Sequence, residues 1–287
     1  MELSPTAARA ALSLAESAKG PVAAILCEDE TQVAGTVAHH LARGFARIIL
    51  FARPDLDLPD LPEGIARVDC DAPAPGALAA VINTLAKATP GQWFYAGFNA
   101  EYLFHPFCGA RSVKEFLTHV AEERRPAVMG IVTDLYAADL GAHPDAVDPE
   151  TAHLDAAGFY AEDLPEAPPD EAGHPQIGIY GGLRWRFEQH VAPNRRRINR
   201  VALFQARPGL VMGPERLFNL PQYNAISAPW HHSATCAIAS FRAAKALRRN
   251  PGSREAIQDF RWSRSQPFDW TDQQLMDLGF MEPGQWF

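Results

Sequence analysis

Over its first 135 residues the chain alternates short, wholly apolar runs with segments of helical period, and few folds tolerate that pattern. The apolar runs lie at 21–27 (PVAAILC), 46–51 (ARIILF), 92–98 (QWFYAGF) and 127–133 (AVMGIVT), with a shorter one at 65–69. A strand that is apolar on both faces must be covered on both faces, as in a parallel sheet held between helix layers. The intervening segments supply the helices. Ser4 before Pro5 reads as an N-cap with proline at the first helical position, and Gly20 closes that unit. Further helices are expected over 31–43, 75–88 and 112–125, the last opened by a capping box from Ser112 to Glu115. The expected fold class is α/β, a mainly parallel open sheet with helices on both faces. Ligands in such sheets bind beyond the carboxyl ends of the strands. The residues to inspect are therefore 28–30, 53–57, Asp69, Asp71, 99–101 and Asp134.

Beyond residue 140 the pattern weakens. Residues 141–176 are rich in Pro, Asp, Glu and Ala with little period, which suggests a long irregular segment. Order returns at 177–187 (IGIYGGLRWRF), followed by a basic loop at 194–200 (NRRRINR) and a strand at 201–206. A helix is expected over 231–249, stopped by Asn250-Pro251-Gly252, and a short one over 271–278. This divides the chain into a main domain, 1–250, and an aromatic-rich, α-rich C-terminal extension, 251–287, packed on it.

Composition narrows the function. With 26 Lys and Arg against 34 Asp and Glu, the net charge is −8, the wrong sign for a general binder of nucleic acid or anionic membrane. The four cysteines, Cys27, Cys70, Cys108 and Cys236, have neither disulfide-framework nor zinc spacing. The first twenty residues lack the pattern of a signal peptide, and no apolar run is long enough to span a membrane. A cytoplasmic protein is expected. The dinucleotide, P-loop, nucleophile-elbow and zincin motifs are all absent from the sequence.

Several short motifs do align in order. They are Cys27-Glu28-Asp29-Glu30 after the first strand, HHLARGF at 39–45, WFYAGFNAEYL at 93–103, Thr133-Asp134-Leu135-Tyr136, and Tyr180-Gly181-Gly182-Leu183-Arg184. In this order the chain resembles the GT-A glycosyltransferases of the family 2-like group. The resemblance implies a GT-A-like, partly Rossmann-like sheet. It implies transfer of a sugar from a nucleotide diphosphate donor to a hydroxyl of a glycan or polysaccharide precursor. It also implies a divalent metal, Mn or Mg, at a D-x-D motif. Aligned on Glu101-Tyr102, however, the two aspartates of that motif fall on Phe98 and Ala100, leaving only Asn99 and Glu101 polar. Hard cations want several oxygen ligands, so this replacement argues against the metal.

Each site residue implied by the resemblance has an ordinary structural role beside it. Asp29 and Glu30 would face the nucleoside, or complement the dipole of the next helix. Asp71 would accept from a base imide, or form an Asx-type cap before the following prolines. Asn99 and Glu101 would contact the donor, or make loop hydrogen bonds. Asp134 would be the base that takes the acceptor hydroxyl proton, or an N-cap. Arg184, after the Gly181-Gly182 turn, would hold phosphate, or be a solvated side chain at a strand turn. His231 and His232, at an expected helix start, would contact phosphate too, with Glu101 and His232 the metal ligands if metal is bound. His39 and His40, mid-helix, read as packing or surface residues. The tail aromatics between Phe260 and Phe287 would dock on the body, stack on an acceptor sugar or form a homodimer contact. The rival expectation is a catalytically silent GT-A-like binding or scaffolding protein, and the Phe98 and Ala100 replacements favour it.

Overall fold

The computed structural model describes residues 1–286. In chain order its elements are α1 (Pro5–Glu16), β1 (Val22–Leu26), α2 (Val33–Ala42), β2 (Arg47–Ala52), β3 (Ala66–Asp69), α3 (Ala77–Leu85), β4 (Trp93–Phe98), β5 (Glu101–Phe104), α4 (Val113–Glu122), β6 (Ala127–Tyr136), β7 (His153–Asp155), β8 (Tyr160–Asp163), β9 (Ile177–Tyr180), α5 (Gly182–Arg186), β10 (Asn199–Gln205), β11 (Cys236–Ser240), α6 (Arg242–Arg249), α7 (Pro251–Ala256), β12 (Ser265–Pro267) and α8 (Asp272–Asp277). The α/β class and the covered strands stand as expected. β1 shows why its run is unbroken. Val22, Ala24 and Leu26 pack with residues of α1 and α3, while Ala23 and Ile25 pack with residues of α2 and α4 on the other face.

Ten strands form one sheet along the path β12-β7-β6-β10-β4-β1-β2-β3, with β11 bound to both β5 and β6. The block β3-β2-β1-β4 is parallel, and so is the β6–β11 pair. Between them runs β10, antiparallel to both β4 and β6. The sheet is therefore mixed beyond β4. The chain steps from β1 to β2 to β3 and then returns to place β4 on the other side of β1. That reversal is a topological switch point, and it opens at the carboxyl ends of β1 and β4.

Helix ends follow local chemistry. Ser4 accepts from the Ala7 amide at 3.2 Å ahead of Pro5. At α4 the Ser112 hydroxyl accepts from the Glu115 amide at 3.3 Å, and the Glu115 carboxylate accepts from the Ser112 amide at 2.8 Å. Ser112→Ala is expected to lower stability by about 1 kcal/mol, seen as a lower urea midpoint at unchanged slope. An unchanged midpoint would mean that α4 is held by its buried face alone.

Four expectations are corrected. Residues 231–249 are not one helix: 236–240 form strand β11, and only Arg242–Arg249 is helical. The run CAIAS is apolar and alanine-rich, so its period cannot tell strand from helix, and pairing with β5 and β6 decides. β6 runs to Tyr136, which puts Asp134 inside the strand rather than after it. The 141–176 segment contains β7 and β8. Finally, the C-terminal extension adds β12 to the main sheet through β7, alongside the two six-residue helices α7 and α8. Its Trp286 is buried against Phe116 and His105, so this part of the tail docks on the body; Phe287 lies outside the described residues. Among the described residues no helix is long and apolar enough to cross a membrane.

Candidate functional site

The switch-point rim is built from carboxylates at strand ends and cations brought from the far end of the sequence. Glu28 and Asp29 follow β1, Asn99 follows β4, and Glu101 opens β5. Between β4 and β5 the chain reverses at Ala100, which takes a left-handed φ of 59°. That turn lets the Glu101 carboxylate accept from the Phe98 amide at 2.9 Å. Asn99 ties the two strand ends together. Its side-chain oxygen accepts from the Glu28 amide at 2.9 Å, and its nitrogen donates to Asp29 at 2.8 Å and to the Thr31 carbonyl at 2.9 Å.

Helix α6 answers these acids. Arg242 donates twice to Glu28, at 2.7 Å each, with its guanidinium 3.6 Å above the Phe98 ring centre. Lys245 donates to both Asp29 oxygens, at 3.0 and 2.8 Å, and Arg249 donates to Asp29 as well. Burial alone would raise the Asp29 pKa, but Lys245, Arg249 and Thr31 outweigh it and hold the carboxyl far below its usual range. Arg200, at the start of β10, bonds Glu101 at 2.5 Å, and the Ser240 hydroxyl donates to Glu101 at 3.3 Å.

Asp134 stands in the same rung of the sheet, since Ser240 pairs with Glu101 on one side and with Asp134 on the other. It differs from the other acids. Neither of its oxygens has a formed hydrogen bond among the described residues, and the Arg184 Nε lies 3.5 Å from Oδ1. Burial pushes its pKa up to about 6; Arg184 and the amides of Arg184 and Leu183 offset only part of this, and nearby Asp155 adds to the rise. The glycine at 182 is required here: its φ is +60°, and a Cβ would lie 3.0 Å from Asp134 Oδ2. Arg186, two residues past Arg184, is committed elsewhere, donating twice to Asp155 at 2.9 and 2.8 Å.

The rim thus brings together Asp29, Asn99, Glu101, Asp134 and Arg184 from the residues expected by sequence. Glu30 and Asp71 stay exposed, without side-chain hydrogen bonds among the described residues. The two histidines are a clear departure. His231 and His232 precede β11, at the rim opposite Ser240, where His231 Nε2 lies 3.1 Å from Glu123 and His232 is exposed. They are on a loop, not at a helix start, so Glu101 and His232 cannot share a metal. Of the packing and surface readings for His39 and His40, packing holds: they meet Tyr102, Phe104, Tyr95 and Phe45 in edge-on and tilted ring contacts, and burial pushes their pKa values down to about 3 and about 4.

Arg200 belongs to the basic cluster of Arg195, Arg196, Arg197 and Arg200, which the sequence offers as an offset for diphosphate charge in place of metal. Four further cations were not legible as site residues: Arg216, Arg242, Lys245 and Arg249. Three of them carried a usable signal, because 242, 245 and 249 fall on one face of a helix. A divalent ion fits poorly here. Asn99 is used at both ends, Glu101 is bonded on both oxygens, and Arg200 and Arg242 both act on Glu101. Among the described residues no group of three or more His, Cys, Asp or Glu could hold a metal.

The clefts among the described residues include two of note. One of about 490 Å³, lined by Gly20, Gln92, Trp93, Lys114 and Leu117 among others, opens on the amino-terminal rim. The other, about 220 Å³, is lined by Tyr160, Tyr180, Arg184 and Trp185 among others. Tyr160 and Tyr180 stack at 5.3 Å, and Trp185 is half exposed. No protein-family model matches the chain, and no curated protein matches it by sequence.

Proposed function

We propose that the chain is a GT-A-like glycosyltransferase that moves a sugar from a nucleotide diphosphate donor to a hydroxyl of a glycan or polysaccharide precursor. The observation that carries the reading is Asp134: a buried carboxylate faced by the Leu183 and Arg184 amides and the Arg184 side chain, its pKa nonetheless lifted to about 6, at a cation-rich rim. Such a carboxylate is largely ionised near neutral pH yet more basic than an exposed one, which suits a general base. In the proposed step Asp134 takes the acceptor hydroxyl proton as that oxygen bonds the anomeric carbon. The bond from that carbon to the donor diphosphate breaks, and its electron pair leaves with the nucleoside diphosphate. The cleft bounded by Tyr160, Tyr180 and Trp185 supplies aromatic faces that suit a sugar acceptor, and Arg184 is among its lining residues.

The test is product formation with a panel of UDP- and GDP-sugars and simple glycosides. Nucleoside diphosphate release that depends on acceptor is expected with one donor class. Absence of both nucleotide binding and donor consumption across the panel would sink the proposal. The second reading, a binding or scaffolding protein without turnover, is favoured by one observation: Glu101 is already paired with Arg200. UDP or GDP binding with no donor consumed would select it.

A further inference from the structure

The rim holds more positive charge than its carboxylates use. Glu28 takes Arg242, Asp29 takes Lys245 and Arg249, and Glu101 takes Arg200. Left over are Arg216 and the part of Arg184 that neither Asp134, 3.5 Å from its Nε, nor the Arg197 carbonyl engages; the Nε of Arg200 has no formed hydrogen bond but is buried, with the Tyr95 hydroxyl beside that side chain. Arg216 is partly buried and makes no side-chain hydrogen bond or ion pair among the described residues. Burial, then the nearby charges of Arg242, Arg200 and Arg184, push its pKa down to about 10.

The chain pins this costly arrangement. Arg216 sits in a turn at a left-handed φ of 60°, with its amide donating to the Gly213 carbonyl at 3.1 Å. The Gly213 amide donates to Leu217 at 2.8 Å, and the Arg197 side chain donates to the Glu215 carbonyl at 2.9 Å. Arg184 in turn donates to the Arg197 carbonyl at 3.1 Å, which links the turn to the residue beside Asp134. Guanidinium groups held together with unused N–H donors suit the several oxygens of a phosphate chain. The same positive field repels a divalent cation.

We infer that this rim binds a diphosphate group directly, through Arg216 and Arg184 with Arg200 adding buried positive charge, and with these cations in place of a divalent metal. The inference deepens the transferase reading and rests on it for the identity of the ligand. Inorganic pyrophosphate is the probe, titrated calorimetrically into the intact protein in EDTA and again with Mn²⁺. Binding in EDTA is expected, and Arg216→Ala is expected to weaken it about tenfold or more, with Arg216→Lys recovering part of the loss. A thermal melt of each variant without ligand checks that folding is unchanged, and a melting point raised by pyrophosphate in EDTA gives a second readout. Pyrophosphate binding only with Mn²⁺, no binding in either condition, or equal binding by wild type and Arg216→Ala would overturn the inference. The two proposals fail separately. Binding in EDTA without sugar transfer removes the transferase and leaves the diphosphate site, whereas Mn²⁺-dependent binding and transfer do the reverse.

Discussion

Glu101→Ala is expected to cost the fold about 3–5 kcal/mol, because it strips a buried guanidinium of its partner. Glu101 is 1% exposed and Arg200 is 8% exposed, and they meet at 2.5 Å. Burial by itself would raise the Glu101 pKa. Arg200, then Arg242 and the Phe98 amide, more than offset it and hold the carboxyl below its usual range. Truncation leaves Arg200 charged, out of water and close to Arg242, and leaves the Phe98 amide without its acceptor. The deficit is a penalty of abandonment rather than the net worth of the pair. A double variant, Glu101→Leu with Arg200→Met, should therefore recover most of it. Urea denaturation at neutral pH measures both. A double variant as unstable as Glu101→Ala would locate the cost in the Ala100 turn or in packing. The linkage has a definite sign. A depressed carboxylate contributes stability above its unfolded pKa, about 4.3, and loses it as pH falls through the lower folded value. Wild type should thus lose more stability on acidification than Glu101→Ala.

That ion pair also shows what local sequence can and cannot reveal. The apolar runs that became β1, β2, β4 and β6 were legible because burial on both faces leaves an unbroken signature in the run itself. The α1 and α4 caps were legible because they span three residues. Strand β11 was not, since an alanine-rich run owes its state to the strands on either side. The roles of the acids were hidden for a related reason. Asp29 sits at a strand end that suits either a ligand or an ion pair, and the residues that decide, Lys245 and Arg249, lie 216 and 220 positions away. Arg216 had no local mark at all. Its significance comes from its burial and from the charges of Arg242, Arg200 and Arg184, all remote in sequence, which together push its pKa down. Asp134 was singled out by its motif, and its raised pKa comes from burial inside β6 rather than from a loop position.

For Asp134→Asn, stability and activity are expected to move in opposite directions. Burial raises the Asp134 pKa to about 6, with Asp155 adding to the effect and Arg184 opposing it. Between the unfolded value, about 4, and about 6 the folded state holds the proton more tightly, so this group makes stability fall as pH rises through that window. Above it the folded chain carries a poorly solvated carboxylate at a cost on the order of 3 kcal/mol. Asparagine keeps the shape and cannot ionise. The variant should therefore match wild type at pH near 4 and exceed it by on the order of 2–3 kcal/mol at pH near 8. Arg184 loses a partner but keeps its bond to the Arg197 carbonyl, which limits the offset. Turnover should fall by about 10²–10⁴-fold, the usual contribution of a general base. The wild-type kcat/KM should rise as pH passes about 6 and then level off, and the variant should lose that rise. Denaturation curves at the two pH values and a pH–rate profile read all three effects. Equal destabilisation at both pH values, with transfer retained, would make Asp134 a framework residue and move the base elsewhere.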